Sequence, residues 1–226
     1  MALTSDLMRR GARRWGDRVA VECGDTSMSF AEVDAMSNRL AQALIAAGIE
    51  PQNSVALLVD NGLFSIPVDF ACLKARAIRV PLNARLAEAE HVAMLEQTSP
   101  KIIVASYGLR DRAEKLGSTL SVEVMILPEQ GASWPEWLVE ASDADPMLDT
   151  PPDDIVLALF TSGTTGTLKA AQHTQSSYAA VCANILANLC SPDRDDAMMH
   201  AASLIHASGT FVLPFWINGA RAIVLP

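Results

Sequence analysis

The sequence predicts an α/β fold in which sheets of mostly parallel strands are flanked by helices. Half of the 226 residues are hydrophobic, which is ample for a buried core. Short apolar runs alternate with helical stretches of about 10–15 residues, the arrangement typical of right-handed β-α-β units. The apolar run Ile155 to Phe160 is fit for a buried strand, and it leads directly into a loop of glycine and hydroxyl side chains.

Hydrophobic periodicity and turn residues predict the elements in order. The predicted helices cover residues 2–15, 29–47, 63–75, 86–97, 109–116, 173–189 and 207–217. The predicted strands cover residues 18–23, 27–30, 55–59, 78–82, 102–105, 122–127, 155–160, 197–202 and 220–225.

Local signals support several of these boundaries. Ser29 and Glu32 form an S-x-x-E capping box that starts the second helix, and Gly48 stops it. Pro67 is tolerable only in the first turn of the third helix. The last long helix begins closely behind the glycine-rich loop, so we expect the positive end of its dipole to favour an anion there.

The regular pattern lapses between residues 131 and 154. Aspartates and prolines are mixed there, as expected of a solvated connector rather than of a metal site with a known ligand spacing. Trp134 and Trp137 are expected to hold this connector to the body by burying ring surface. We therefore predict a first α/β subdomain with an N-terminal helix and hairpin over residues 1–150. A strand–loop–helix unit over 151–226 begins a second sheet region, truncated at its C-terminal end.

Composition limits the function classes. Seventeen basic against 26 acidic residues give a net charge of −9, and without a basic block this excludes nucleic acid as an expected partner. Apolar runs are too short for a membrane span, for which about 18–20 residues are needed. The cysteines at 23, 72, 182 and 190 lack metal-ligand or C-x-x-C spacing. They indicate buried thiols in a reducing, cytoplasmic setting.

The loop after residue 160 carries the strongest chemical signal. Its two glycines permit a tight fold that directs several backbone N–H groups to one point. Four hydroxyls within residues 161–166 and the Lys169 ammonium surround these groups, so the loop offers donors and no carboxylate. A phosphate chain is the partner that suits it best, whereas the alternative is a polar surface turn. Neither the Walker loop nor the dinucleotide fingerprint fits the spacing.

This loop resembles the Ser/Thr/Gly-rich phosphate loop of the AMP-forming adenylating enzymes, which include acyl-CoA synthetases, luciferases and peptide-synthetase adenylation domains. TSGTTG followed three residues later by lysine is highly specific for that superfamily. Residues 19–49 and LKARAIRVPLNARL at 73–86 are similar to two further family segments. SLIHASG at 203–209 is similar to a segment of the acyl- and aryl-CoA synthetase branch. The resemblance implies part of the large N-terminal domain of an acyl-CoA synthetase-like fold.

The resemblance also implies a reaction. A carboxylate attacks the α-phosphorus of ATP, pyrophosphate leaves with Mg²⁺, and coenzyme A then displaces AMP from the acyl-adenylate. The implied nucleotide-binding residues are Thr161, Ser162, Gly163, Thr164, Thr165, Gly166 and Lys169, with Thr165 beside Mg²⁺. Lys169 and His206 are the implied catalytic residues. The implied substrate-binding residues are His206, Gly209, Phe211 and Trp216, although core packing explains the two aromatics equally well.

The chain departs from the family pattern in individual residues and in its length. Leu168 and Ala170 replace the usual proline and glycine on either side of Lys169, and Arg76 replaces another usual glycine. The family's later segments are absent, so we expect this chain to be the N-terminal portion of such an enzyme and inactive without the rest. Two alternatives remain: an adenylation-impaired ligase that only forms thioesters from a supplied acyl-adenylate, and a non-catalytic binding module. Aliphatic, aromatic and terpenoid acids fit the sequence equally.

Overall fold

Of the described strands, the first two and the last two form one sheet, and the six between them form a larger one. The computed structural model describes residues 2–161, 168–205 and 207–226. The helices are α1 Thr4–Trp15, α2 Phe30–Ala46, α3 Ser65–Lys74, α4 Glu88–Thr98, α5 Arg110–Leu120, α6 Glu136–Val139, α7 Gln175–Asn188 and α8 Val212–Asn218. The strands are β1 Val19–Cys23, β2 Thr26–Ser29, β3 Ser54–Leu58, β4 Ile78–Pro81, β5 Ile102–Ala105, β6 Glu123–Ile126, β7 Ile155–Thr161, β8 Lys169–Thr174, β9 Ala197–His200 and β10 Arg221–Val224. Short 3₁₀ turns occupy Tyr107–Leu109 and Ala207–Phe211.

The larger sheet has the strand order β6-β5-β3-β4-β7-β8, and the smaller one has the order β2-β1-β10-β9. In the larger sheet β3 to β7 run parallel, and β8 alone runs antiparallel. In the smaller sheet β1, β10 and β9 are parallel, and β2 pairs with β1 as the predicted hairpin. The predicted α/β class with mostly parallel, helix-flanked sheets is confirmed. The division at residue 150 stays a prediction; each sheet takes strands from both sides of it.

The start of α2 shows how local sequence produces a helix boundary. The Ser29 hydroxyl accepts a hydrogen bond from the Glu32 N–H at 3.2 Å, and the Glu32 carboxylate accepts from the Ser29 N–H at 2.7 Å. This reciprocal pair satisfies two backbone donors that the first helical turn leaves free. At the other end Gly48 adopts φ +88°, a backbone conformation that glycine accepts without steric cost. The predicted capping box is confirmed.

The long helix predicted over 173–189 is wrong at its beginning. Residues 169–174 form β8, which pairs antiparallel with β7 so that Thr161 faces Lys169 and Ile155 faces Thr174. Helix α7 therefore starts beside the opposite end of β7 from the loop, about 20 Å away at the usual rise per strand residue. Its dipole cannot assist an anion in the loop. The segment KAAQHT lacks strand-forming patterning, and β8 is a sheet edge held mainly by main-chain hydrogen bonds to β7.

The connector over 131–154 is anchored by ion pairs. Asp143 contacts Arg39 at 2.9 Å, Asp145 contacts Arg9 at 2.7 Å, and Asp154 contacts Arg76 at 2.7 Å. These pairs account for three of the connector's five aspartates. Among the described residues, no group of side chains able to hold a metal ion occurs. The connector contains only the short helix α6 within its described length.

The two connector tryptophans differ in environment. Trp137 packs against the core between α2, α3 and the larger sheet, as predicted. Trp134 is 43% exposed, so the prediction that both rings hold the connector is wrong for this one. Its ring lies just before the first turn of α6, on the outer surface.

The cysteines are all free, as the sequence predicts. Cys23, Cys72 and Cys182 are buried and Cys190 is half-buried. Burial raises the pKa of Cys72 to about 12 and that of Cys182 to about 11, so these thiols remain protonated and unreactive at neutral pH. In the described part of the chain, the helices are too short or too polar to cross a bilayer.

Arg76 occupies a backbone conformation that favours glycine. It follows the last turn of α3 with φ +55°, which costs a residue with a Cβ about 1–2 kcal/mol. Its guanidinium makes two hydrogen bonds to the Asp154 carboxylate, from Nε at 2.7 Å and from Nη2 at 3.2 Å. This pairing raises the pKa of Arg76, with its hydrogen bond to Asp154 as the main cause. Arg76, which stands where the family usually has glycine, thus forms an ion pair that holds the connector through Asp154.

We predict that Arg76→Gly is more stable than Arg76→Ala by about 1 kcal/mol in urea unfolding. Both variants lose the Asp154 contact, but only alanine retains the strained φ. As a matched control, Ala46→Gly at the exposed end of α2 should lose about 1 kcal/mol, because the backbone there is helical. Equal stability of the two Arg76 variants would contradict the argument from backbone strain.

Candidate functional site

The predicted phosphate loop joins two adjacent strands at the carboxyl edge of the larger sheet. Thr161 ends β7, Lys169 begins β8, and the two are register partners with exposed side chains. Because β7 runs parallel to β3–β6, this is the edge where open α/β sheets bind their ligands. Five of the predicted residues, Ser162, Gly163, Thr164, Thr165 and Gly166, lie outside the described residues, as does His206.

A cavity of about 140 Å³ lies between β7, helix α7 and the segment that flanks residue 206. Leu157 and Leu159 of β7 form one wall, and Leu204 and Ile205 form another. The remaining lining residues are Asp69, Arg79, His173, Tyr178, Val181, Gly209 and Thr210. Since Leu159 lies two residues before Thr161 and Ile205 precedes His206, the cavity adjoins both predicted parts of the site.

The three described residues predicted for substrate binding lie in different surroundings. Gly209 lines the cavity, and a Cβ there would collide with the carbonyl of Leu204, so only glycine fits. Trp216 is a core residue, 3% exposed, with its ring centroid 4.4 Å from that of Phe30. Phe211 is half-buried and ends the 3₁₀ turn. The cavity lining in the described part of the chain includes neither aromatic, and the core contacts of Trp216 favour the packing alternative for that residue.

A larger open groove of about 1040 Å³ runs along the segments that follow β3, β4, β5, β6, β9 and β10, and it shares Ile205 with the smaller cavity. Asp60 lies in it, and burial raises the pKa of that carboxyl. Among the described residues, its lining includes none from β7, β8 or α7. The smaller cavity is therefore the one associated with the flanks of the phosphate loop.

Asn61 positions the segment that leads to residue 206, a role that the sequence did not reveal. Its Nδ2 donates to the carbonyls of His200 at 3.3 Å, Ala202 at 3.2 Å and Leu225 at 3.0 Å. Its Oδ1 accepts from the Leu204 N–H at 2.9 Å. One amide after β3 thus holds the ends of β9 and β10 against the larger sheet. The Asn-Gly dipeptide signals a turn, but not these distant partners.

His200 supports the same segment from its other side. It is fully buried, and its Nδ1 is hydrogen-bonded to the Ser208 hydroxyl at 2.8 Å. Its Nε2 has no hydrogen-bond partner in the part of the chain that the structure describes. Burial lowers the pKa of His200 to about 4, so the imidazole is neutral at physiological pH. The 3₁₀ turn that contains Ser208 and Gly209 is therefore hydrogen-bonded to an uncharged histidine.

The depressed pKa of His200 predicts acid sensitivity. The unfolded-state pKa of histidine is about 6.5, so the unfolded chain binds the proton first. The free energy of unfolding should fall by roughly 3 kcal/mol between about pH 6.5 and pH 4. Urea unfolding of wild type and His200→Gln at several pH values measures this contribution by difference. This subtraction removes the contribution of His91, whose pKa is also lowered by burial. If the free energy of unfolding of His200→Gln depended on pH as steeply as that of wild type, the proposed contribution of His200 would be contradicted.

We also predict that Asn61→Ala lowers the free energy of unfolding by about 3 kcal/mol, because several hydrogen bonds of about 1 kcal/mol each are lost. Asn61→Asp should be no better, since it removes the amide donor and places a charge beside carbonyl oxygens. Asn188→Ala, at an exposed position near the end of α7, is the control and should change stability by less than about 0.5 kcal/mol. A loss at Asn61 no larger than at Asn188 would refute the positioning role.

Comparison with known proteins is consistent with this geometry. A curated feruloyl-CoA synthase from an Amycolatopsis species is 32% identical over 219 residues, which cover 95% of this chain and 42% of the relative. An ATP-bound RpMatB-BxBclM chimera superposes with a TM-score of 0.86 at 25% identity, over 99% of this chain and 46% of that one. The inhibitor-bound N-terminal domain of FACL13 from Mycobacterium tuberculosis gives a TM-score of 0.87 at 24% identity, over 99% and 57%.

The chain spans 42% of the length of the curated feruloyl-CoA synthase, so it corresponds to part of such a protein. The sequence profile described as "AMP-binding enzyme" matches residues 8–226. This match includes both sheets, the flanks of the phosphate loop and the cavity. The chain belongs to the AMP-binding enzyme family.

Proposed function

We propose that the protein containing this chain activates a carboxylic acid with MgATP to an acyl-adenylate and then forms its thioester with coenzyme A. The observation that carries this proposal is the placement of Thr161 and Lys169 at the carboxyl edge of the sheet, next to a largely apolar cavity. A donor-rich loop beside a small apolar cavity suits a polyphosphate joined to an organic acid. The ATP-bound chimera of the same fold supports the choice of nucleotide.

We assign roles first to the residues proposed to bind ATP and then to those proposed to bind the acyl group. The loop from Thr161 to Gly166 and the Lys169 ammonium hold the phosphates, and Thr165 lies beside the Mg²⁺ that accompanies ATP. These donors stabilise the charge that develops on pyrophosphate as it leaves. His206 borders the acyl group, with Gly209 giving it room. The remainder of the enzyme, beyond this chain, completes the reaction. A cytoplasmic location and the lack of a nucleic-acid partner stay predictions.

The surroundings of Leu168 and Ala170 support retained adenylation over the impaired alternative. Both side chains are half-buried and pack against the core of the larger sheet around Ala56, Leu58 and Ala158. Ala170 also faces Phe160 across the β7–β8 pair. Their extra atoms are thus accommodated by packing, while the Lys169 side chain stays exposed.

The test is pyrophosphate release by the full-length protein with ATP, Mg²⁺ and a panel of aryl and aliphatic acids. Lys169→Ala should lower kcat/KM for ATP by about 10- to 100-fold, because one charge-assisted contact with the phosphates is lost. Lys101→Ala, an exposed lysine just before β5, is the matched control and should behave as wild type.

Two outcomes oppose the proposal. Absence of pyrophosphate release with every acid, together with thioester formation from a supplied acyl-adenylate, would favour the adenylation-impaired ligase. Absence of both activities, with Lys169→Ala unchanged in nucleotide binding, would favour a binding module.

One outcome supports the loop as it stands. If wild type releases pyrophosphate vigorously and Leu168→Pro with Ala170→Gly does not raise the rate further, the altered loop is competent.

A further inference from the structure

The guanidinium of Arg79 is a buried cation that the reaction described above does not use. Its side chain is 3% exposed. From β4, its Nε donates to the Val156 carbonyl at 2.8 Å, and its Nη1 forms an ion pair with Asp69 of α3. Its Cζ lies 5.2 Å from the centroid of the Tyr178 ring. These contacts hold the guanidinium in one orientation on the wall of the 140 Å³ cavity.

One end of this guanidinium is left without a partner. Arg79 Nη2 is buried and makes no hydrogen bond within the described part of the chain. A buried donor on a charged group is costly to leave unpaired, so a ligand acceptor placed in the cavity would satisfy it. His173, on the same wall, also has a buried nitrogen, Nδ1, without a partner among the described residues.

The cavity is of the size of one aromatic ring. Five leucine, isoleucine and valine side chains line part of it, and an apolar cavity of about 150 Å³ binds benzene. The polar lining residues are Asp69, Arg79, His173, Tyr178 and Thr210. A planar apolar group that carries one polar substituent suits this combination of apolar and polar lining residues.

The charge of the site favours a neutral substituent. Burial, the largest single effect, lowers the pKa of Arg79, but Asp69, Tyr178 and Cys72 together raise that pKa above its usual value. The Asp69 carboxylate lies beside the guanidinium and offsets its charge. A second carboxylate on the ligand would add an uncompensated charge to the interior, which is strongly unfavourable. A hydroxyl, methoxy or keto oxygen accepts a hydrogen bond without that cost.

We propose that Arg79 determines acid specificity by donating from Nη2 to a neutral oxygen on the ring of an aryl acid. The identity of this ligand as the acid to be activated rests on the function proposed above. The preference of the cavity for a hydroxy acid over a methyl acid does not rest on that function, because it is a difference in binding affinity alone. Val181 and Leu159 set the size of the ring that fits.

The experiment compares 4-hydroxycinnamate with 4-methylcinnamate, and the corresponding benzoates, which differ by a near-isosteric oxygen. Binding to the full-length protein is measured by calorimetry without ATP, and pyrophosphate release is measured with ATP. Wild type should prefer the hydroxy acid of at least one pair by about 10- to 100-fold in Kd, as a hydrogen bond to a charged donor allows. In Arg79→Met with Asp69→Asn, the preference should fall to within about threefold.

Two further variants separate specificity from folding. Arg9→Met with Asp145→Asn removes a comparable half-buried ion pair outside the cavity, and it should keep the hydroxy-acid preference of wild type. Val181→Phe reduces the cavity and should weaken both acids of a pair together, while leaving the Arg79–Asp69 pair intact. Circular dichroism confirms that each variant is folded.

Equal or undetectable binding of both acids by folded wild type overturns the proposal, as does a preference that survives loss of Arg79. Preferential binding of the hydroxy acid without pyrophosphate release overturns the proposed function and supports the role of Arg79. Pyrophosphate release with no preference between the paired acids supports the proposed function and overturns the role of Arg79.

Discussion

The amide of Asn61 is the contact on which the arrangement of the two sheets depends. It follows β3 of the larger sheet and hydrogen-bonds to main-chain groups after β9 and β10 of the smaller one. A single planar side chain with two donors and an acceptor can satisfy several main-chain groups only if all of them are correctly placed. The sheets are thereby held in one relation, and the segment from 201 to 209 is held beside β7.

The cavity is a consequence of that relation. Its walls come from β4, β7, β8, α3, α7 and the segment after β9, so neither sheet could form it alone. Two buried polar side chains near it have partners within the protein: Arg79 pairs with Asp69, and His200 pairs with Ser208. Two lining residues each keep a buried nitrogen, Arg79 Nη2 and His173 Nδ1, that has no hydrogen-bond partner among the described residues.

Sequence patterns predicted elements well where local chemistry or burial was decisive. Ser29 and Glu32 cap α2 as expected, and the fully buried strand over 102–105 has the predicted bounds. Strand β8 was missed because KAAQHT is an edge segment whose pairing with β7 comes from the main chain. The aromatic Trp216 illustrates a different failure. Its residue type suits a pocket or a core equally, and only packing against Phe30 and Phe70 distinguishes the two.

The sequence by itself determined the fold class, the family and the donor-rich character of the loop between β7 and β8, because these depend on periodicity and on residues adjacent along the chain. Tertiary structure decided that α7 begins away from the loop, that Asn61 joins the sheets and that Arg79 faces a ring-sized cavity. These features join residues separated by about 80 to 160 positions, such as Asn61 with Leu225 and Arg79 with Val156. Such contacts follow from how the strands are ordered in the two sheets, which local patterns do not specify.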